Sequence, residues 1–476
     1  MTNEANKKRK GKSKAQRLME VITGQCELWH SEDNLAYATY QGKAHWENWR
    51  VSSPQFRQWA YGLYYSATHD VISKPTWDNL QSLIIRHALE AKHHSTYRRV
   101  ARVEDAIYID MGNPQWQYIE ITASGWAVKD DCPVKFLRGS NTGALPIPER
   151  GGSLDELQGL ITSCPDNWQR IKGFILDAFK GRKPYFVLII HGVQGSAKTC
   201  ACKLIRNTID PVCKAPLCRL PRDEREIGVA AQSEYVLGYD NVSHLPQWLS
   251  DTLCMVSTGG GFKARTLYSD AEQTIFDVSR PIILNGVPQC AESNDLLSRS
   301  LIVEQPMIPE DEKRDEVDLD TNYEAIKGRV MGGILDCLSN GLANYSTTKL
   351  ERLPRMADSV KWVSACYGND GFVKAYESNE EDTAQAGLDS SPIARVVIDI
   401  CKGKDSWVGT AGSMLQELTE RITWEQRGRD FPTNAKALGK QLKRDEPMLL
   451  KAGLSFTKKH EHEGRVIRID RVSSLA

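Results

Sequence analysis

No Cys-x-x-Cys pair occurs among the twelve cysteines of this 476-residue chain. Cys200 and Cys202 flank one residue, Cys213 and Cys218 flank four, and the others are scattered. That spacing argues against both a zinc site and a disulfide framework, and it fits a reducing compartment. No apolar run approaches the roughly 20 residues of a membrane span, and the N-terminus carries no apolar signal region. The expectation is a cytoplasmic protein with no membrane partner. Excess charge is lacking too. Lys plus Arg and Asp plus Glu each number 61, so no global field points to nucleic acid, and such a case must rest on local clusters. The length is too great for one ordinary core and suggests two to four domains.

What is present centres on Tyr185-Phe186-Val187-Leu188-Ile189-Ile190-His191, followed by Gly192-Val193-Gln194-Gly195-Ser196-Ala197-Lys198-Thr199. A continuous apolar run suits a strand buried on both faces. The small-residue turn after it aims successive N–H groups at one anion beside a helix N-terminus, the mechanical content of a Walker A phosphate cradle. Lys198 would neutralise β/γ-phosphate charge, and the Thr199 hydroxyl would be a magnesium ligand. Ala197 stands where glycine is usual. Alanine tolerates right-handed helical angles, so the loop keeps its form if that position is already in the helix.

An ATPase also needs a carboxylate for the metal, a group that orients water and a cation for transition-state charge. Tyr235-Val236-Leu237-Gly238-Tyr239-Asp240 is strand-like and ends in Asp240, forty-two residues beyond Lys198, as a Walker B carboxylate would. Asn241 follows where many such ATPases place a glutamate; an amide cannot take a proton, which leaves the base open. Arg280-Pro281-Ile282-Ile283-Leu284-Asn285-Gly286 is another strand. Its Asn285 either holds water against the γ-phosphate from a position beside Asp240, or simply forms an Asn-Gly turn. Arg299, fourteen residues on, either reaches a neighbouring subunit's nucleotide or is an ordinary surface arginine. Between these lies Thr258-Gly259-Gly260-Gly261-Phe262-Lys263-Ala264-Arg265-Thr266-Leu267-Tyr268, whose Lys263 and Arg265 suit a nucleic-acid backbone and whose ring suits base stacking, the alternative being a solvated hairpin.

Along the chain, residues 1–23, with Lys7 to Lys14, read as a disordered basic tail. Residues 24–150 read as an independent α+β domain, with a helix from Asn79 to Ala91 and strands at Ala106–Asp110, Gln117–Thr122 and Ala127–Val128. A helical segment from Leu154 to Phe179 opens an α/β unit over 151–376, with strands at Phe186–Ile190, Tyr235–Tyr239, Pro281–Leu284 and Leu301–Val303. The acidic, polar run 377–391 reads as a linker. Residues 392–476 show helices Ile393–Lys402, Thr410–Ile422 and Asn434–Arg444 and then a hairpin about Glu463-Gly464, the order of a winged helix. Lys436, Lys440, Lys443 and Arg444 on its third helix, with Lys458, Lys459, Arg465 and Arg468 on the wing, make a phosphate-facing surface, or a merely solvated basic face.

Taken together, Gly192 to Thr199, Tyr239-Asp240-Asn241, Thr258 to Tyr268, Ile283-Leu284-Asn285-Gly286-Val287-Pro288 and Leu297-Ser298-Arg299-Ser300 resemble the superfamily 3 branch of AAA+ helicases. The likeness is specifically to the ATPases of phage, plasmid and integrated elements that are often joined to primases. Arg99-Val100-Ala101-Arg102, Ile107-Tyr108-Ile109-Asp110 and Gly125-Trp126 look like the domain preceding such motors, and Arg355-Met356-Ala357-Asp358 is similar downstream. The resemblance implies an AAA+-type P-loop core between the α+β and winged-helix domains, with ATP and Mg2+ as cofactors. It also implies a homo-oligomeric ring, a hexamer, in which Arg299 acts in trans and the loop at Lys263 and Arg265 draws single-stranded DNA through the pore; duplex DNA and a separate primase are further implied partners. No paired-carboxylate site precedes residue 150, where Asp110 stands alone in its strand, so primer synthesis is not expected. The expectation is an ATP-dependent DNA helicase or translocase replicating a mobile element. The rivals are an ATP-switched initiator that binds DNA without unwinding it, and a defence or signalling ATPase.

Overall fold

The computed structural model describes residues 14–42, 45–161, 164–265, 273–276, 278–286, 294–368, 371–423, 427, 431–461 and 464–472. At its centre is a four-stranded parallel sheet built from β1 (Val187–Gly192), β2 (Leu237–Val242), β3 (Ile282–Gly286) and β4 (Ser300–Gln305), in the order β2-β3-β1-β4. The unbroken apolar character of β1 has a direct cause. Leu188 and Ile190 enter one hydrophobic core and Val187 and Ile189 the core on the other face, all at most 2 % exposed. The same division holds for Ile283 against Ile282 and Leu284, and for Leu301 and Val303 against Ile302. With two periodic faces both buried, alternation vanishes from the sequence. Helix α1 (Lys198–Ile209) leaves the end of β1 and covers the first face.

Two further four-stranded sheets, and a two-stranded one of Thr96–Tyr97 with Lys135–Phe136, precede this one. Strands at Trp46–Arg50, Ala36–Gln41, Cys26–His30 and Lys92–His93 form the first, and helices Lys14–Thr23, Pro54–Thr68 and Lys74–Glu90 bury Leu18, Ile22, Phe56, Trp77, Leu80 and Ile84 with it. The second is an antiparallel meander of Val100–Val103, Ala106–Asp110, Tyr118–Thr122 and Gly125–Lys129.

Three expectations about organisation give way here. Residues 14–23, read as disordered tail, are a helix whose Leu18 and Ile22 are fully buried at i, i+4 spacing; residues 1–13 lie outside the described set. The 24–150 stretch is not one independent domain. Val100, Ile107, Ile109, Ile119, Ile121 and Trp126 of the meander share a single core with Phe174, Leu188, Ile334 and Tyr376. Across that seam Trp126 Nε1 donates to Asp336 Oδ1 at 2.7 Å, and Arg99 Nε pairs with Asp210 Oδ1 at 2.8 Å, both groups buried. Finally, the presumed linker 377–391 continues the helix Gly371–Ser390, which buries Phe372, Ala375, Tyr376 and Asn379 at i, i+3, i+4, i+7.

The C-terminal unit holds helices Pro392–Cys401, Ala411–Arg421, Ala435–Arg444 and Glu446–Lys451 and strands Leu454–Glu461 and Gly464–Arg471. It adds one strand the sequence did not suggest, Ser406–Thr410, which pairs with Gly464–Arg471 to make a three-stranded antiparallel sheet. Its core, around Val397, Trp407, Leu418, Leu438, Leu442 and Ile469, is separate from the others.

Candidate active site

β1 delivers the chain into the turn at Gly192, whose φ of 147° is closed to ordinary side chains; a Cβ there would strike the Gln305 carbonyl at the end of β4. Gly195 has φ 85°, and nothing lies within 4 Å of where its Cβ would stand. The turn therefore keeps open space beside the start of α1. Ser196, buried, donates its hydroxyl to Val193 O at 2.8 Å, while Lys198 Nζ donates to Val193 O at 2.6 Å and to Ser196 Oγ at 3.3 Å. The lysine thus lies folded over its own loop. No side chain caps α1 and no acidic residue occupies its first turn, so its leading N–H groups and positive dipole end are left for an anion.

Ala197 does not meet the condition that would let alanine sit there without strain. It is the N-cap residue at φ 53°, ψ 26°, in the left-handed region and outside the helix. The backbone must reverse between Ser196, tied back to Val193, and Lys198, the first helical residue. The position demands glycine geometry, which costs an L-residue about 1–2 kcal/mol.

The other polar groups gather at the same end of the sheet. Asn285 stands in register with Ile190, the last apolar residue before the turn. Its Nδ2 donates to Thr199 Oγ1 at 2.9 Å and to Asp240 Oδ1, and Thr199 Oγ1 lies 3.3 Å from Asp240 Oδ1. With both amide protons so used, the buried Asn285 Oδ1 is left as an acceptor with no partner among the described residues. Asp240 is brought here by an irregularity: the β2–β3 register slips between Tyr239 and Val242, Asn241 takes φ 56°, and the Asn241 N–H donates to Asp240 Oδ1 at 2.9 Å. Asparagine is among the few residues that tolerate that conformation. Asn241 therefore serves the bend that aims Asp240, and a glutamate there would be strained.

These groups suit a triphosphate with magnesium. A hard cation that keeps waters and phosphate oxygens needs only one or two protein oxygens, and the Thr199 hydroxyl and Asp240 carboxylate offer them side by side. Among the described residues no cluster of three His, Cys, Asp or Glu exists to hold a metal by itself.

Arg299 is not with them. Its carbonyl accepts from Val187 N–H at 3.1 Å at the start of β1, five residues before Gly192. At about 3.3 Å per residue that is roughly 17 Å from its own turn, across the length of the sheet. There Arg299 Nη1 pairs with Asp295 Oδ2 at 2.6 Å, and Arg355 meets the same carboxylate. Burial works against ionisation of Asp295, but the hydrogen bond and charge of Arg299, aided by Arg355, hold its carboxyl below the usual aspartate value. Arg355 had no role in the residue-level reading. Its signal was the Arg355-Met356-Ala357-Asp358 likeness alone.

Lys263 and Arg265 stand on the outgoing strand of an antiparallel ribbon, Phe262–Arg265 with Gln273–Phe276, in register with Ile275 and Gln273; the expected tip, Thr266 to Tyr268, lies outside the described residues, as do Val287 and Pro288. On the helix Ala435–Arg444, Lys436, Lys440 and Lys443 are exposed opposite the buried Leu438 and Leu442. Two wing cations are otherwise engaged: Lys458 Nζ donates to Gly439 O at 2.6 Å, and Arg468 pairs with Asp470 at 2.7 Å. The basic surface is thus narrower than the sequence implied.

No curated protein matches the chain. Among solved structures, the apo structure of the NrS-1 C terminal region is similar over 97 % of this chain and 100 % of that one, at 10 % identity and a TM-score of 0.41. An A form apo structure of the same region covers 96 % and 99 % at 12 % identity and a TM-score of 0.39. No helix of the described residues is long and apolar enough to cross a membrane. Residues 170–383 match the family model described as the actinomycete integrative conjugative element replication protein, and residues 393–475 match that of the AICE RepA C-terminal domain. The two stretches hold the turn, Thr199, Asp240, Asn285, Arg299 and the C-terminal basic helix, and together exceed half the chain, which belongs to the replication proteins of actinomycete integrative conjugative elements.

Proposed function

We propose that this replication protein is an ATP-dependent DNA helicase or translocase of the AAA+ type, working as a ring of identical subunits. The observation that carries this is the convergence of Lys198, Thr199, Asp240 and Asn285 on one open turn, from three separate strands. In the reaction a water oxygen attacks the γ-phosphorus of ATP, the bond to the β-phosphate oxygen breaks, and ADP and phosphate leave. Lys198, released from Val193 O, binds the β- and γ-phosphate oxygens, while the turn and the start of α1 supply N–H donors. Thr199 and Asp240 would hold magnesium, which when bound draws charge from the phosphate oxygens. The Asn285 carbonyl, whose amide protons are committed to Thr199 and Asp240, orients the attacking water by accepting a hydrogen bond from it, and the water's proton leaves on the phosphate product. An amide cannot keep a proton, and in a loose phosphoryl transfer orientation matters more than abstraction.

Arg299 completes the site of an adjacent copy. Its place at the far end of the sheet argues against action within one chain, and its part-exposed guanidinium, now paired with Asp295, is the group we read as reaching the next subunit's nucleotide. The ribbon bearing Lys263 and Arg265 lies in the connection from β2 to β3, after the helix Gln247–Thr258, and both strands end at the site, so a change there reaches the ribbon from two sides. Lys436, Lys440 and Lys443 give the C-terminal unit, which we read as a winged helix, a phosphate-facing helix.

The decisive experiment is ATP turnover with and without single-stranded DNA. Lys198→Ala abolishes hydrolysis, and the wild type shows DNA-stimulated turnover with strand displacement. Full turnover by Lys198→Ala would refute the cradle; nucleotide binding without stimulated turnover would favour an initiator switched by ATP.

A further inference from the structure

At the opposite end of the parallel sheet, where β1 and β3 begin, a cavity of about 180 Å³ is lined by Arg98, Arg280, Lys183, Tyr185, Tyr235 and Ser279 among others, none of them acidic. The two arginines are held by neutral groups. Arg280 Nε donates to the carbonyls of Ala231 at 2.8 Å and Glu234 at 3.1 Å and its Nη1 to Ser279 O at 2.8 Å; Arg98 Nη1 donates to Leu137 O at 3.0 Å. The carboxylate whose charge reaches both is Asp210, and it is already occupied by Arg99 at 2.8 Å and by the N–H groups of Tyr235 and Val236 at 3.0 and 3.1 Å. Burial, and then the charge of Arg280, push Arg98 down to about 10. Two guanidiniums thus share a small space without a dedicated counter-charge, an arrangement that an anion relieves.

The volume selects the anion, since nucleotide-sized sites run to roughly 300–1,000 Å³ and this one has room for a single phosphate. Its rim is tied to both roots of the ribbon. Lys183, exposed, donates to Gly259 O at 3.1 Å, Ser279 Oγ donates to Ser257 O at 3.3 Å, and Arg280 N–H donates to Val256 O at 3.0 Å.

We propose that the Arg98–Arg280 cavity is a second phosphate site, separate from the turn at Gly192, that binds one phosphate group at the root of the Phe262–Phe276 ribbon. The group is either a phosphodiester of DNA or free inorganic phosphate.

The test is a titration of the full-length Lys198→Ala chain, whose own phosphate turn is disabled, with sodium phosphate against chloride at matched ionic strength, read by calorimetry and thermal shift. Binding persists in Lys198→Ala, weakens by about tenfold or more when Arg98→Gln or Arg280→Gln is added, and weakens severalfold with Lys183→Gln, a rim change that leaves the melting point in chloride unaltered. No phosphate binding by Lys198→Ala, or binding unchanged by both Lys183→Gln and Arg98→Gln, overturns the proposal. A twelve-nucleotide oligo-dT distinguishes the sources: if it competes with phosphate and needs Arg98, the group is a DNA phosphodiester, and if its affinity ignores Arg98→Gln while phosphate binding is lost, the group is free phosphate. Since no readout involves hydrolysis, this site stands or falls apart from the motor.

Discussion

Ala197 offers a test in which the sign of an effect, rather than its size, decides. In the left-handed conformation observed, φ 53° and ψ 26°, an L-residue carries about 1–2 kcal/mol of steric cost. Glycine removes that cost but loses about 0.5–1 kcal/mol through the freedom it gains in the unfolded chain. Ala197→Gly is therefore expected to stabilise by about 0.5–1 kcal/mol, a melting-point rise of about 1–2 °C for a unit of this size. Ala197→Val, branched at Cβ, is expected to destabilise by at least another 1 kcal/mol. Were Ala197 inside the right-handed helix, glycine would instead destabilise by up to about 1 kcal/mol, and valine by about 0.6. Scanning calorimetry of the three full-length proteins, with urea unfolding as a second measure, separates the cases. A glycine variant less stable than the parent would refute the left-handed assignment, and with it the shape of the cradle.

Asn285→Asp replaces an amide donor with a second carboxylate against Asp240, so kcat for ATP should fall by about 10²–10³ with nucleotide affinity less affected; steady-state turnover beside a binding titration checks it. Arg299→Ala should cost about 10³–10⁵ in turnover, and mixing it with Lys198→Ala should recover part of the activity, because mixed interfaces pair an intact turn with an intact guanidinium; no recovery at any ratio argues against action in trans. Asp210→Asn leaves buried Arg99 without its partner and should destabilise by about 3–5 kcal/mol in urea melts at neutral pH. Burial raises the Asp210 pKa, but Arg99 and Arg206, with the backbone donors, win and hold it below the ordinary 3.8. The stability it contributes is thus fully present above that value and fades as pH falls through the lower folded one, so the gap between wild type and Asp210→Asn should close in strong acid.

The four central strands were legible because each is an apolar run that ends in a polar residue, and the polar ends are what meet. Gly192, Asp240 and Asn285 could be placed from that pattern alone, since parallel strands bring their C-terminal ends to one edge. The conformations of Ala197 and Asn241 could not be. Both are set by where the chain must go next, a tertiary demand that outweighs local propensity. The helices at Lys14–Thr23 and Gly371–Ser390 were hidden by charge: Leu18 with Ile22, and Phe372 with Ala375, Tyr376 and Asn379, carry helical spacing, but lysines in one and acids in the other gave the surrounding composition of solvated chain. The boundary near residue 150 was misplaced because Pro146, Pro148, Gly151 and Gly152 punctuate a crossing between elements that share one core. The Arg98 and Arg280 cluster left no trace, since its members lie 182 positions apart.

The meander at Val100–Lys129 is bolted to the parallel-sheet core by apolar contact, and that decides how the polypeptide can be cut. A fragment beginning at residue 151 would bare the surfaces of Phe174, Ile334, Leu335 and Leu338 that Ile107, Ile119 and Trp126 now cover, and it would aggregate before its chemistry could be assayed. Any minimal fragment should start upstream of Arg99. By the same logic, wear in that collar would loosen the turn at Gly192, so lesions far from it would present as failures of the site itself.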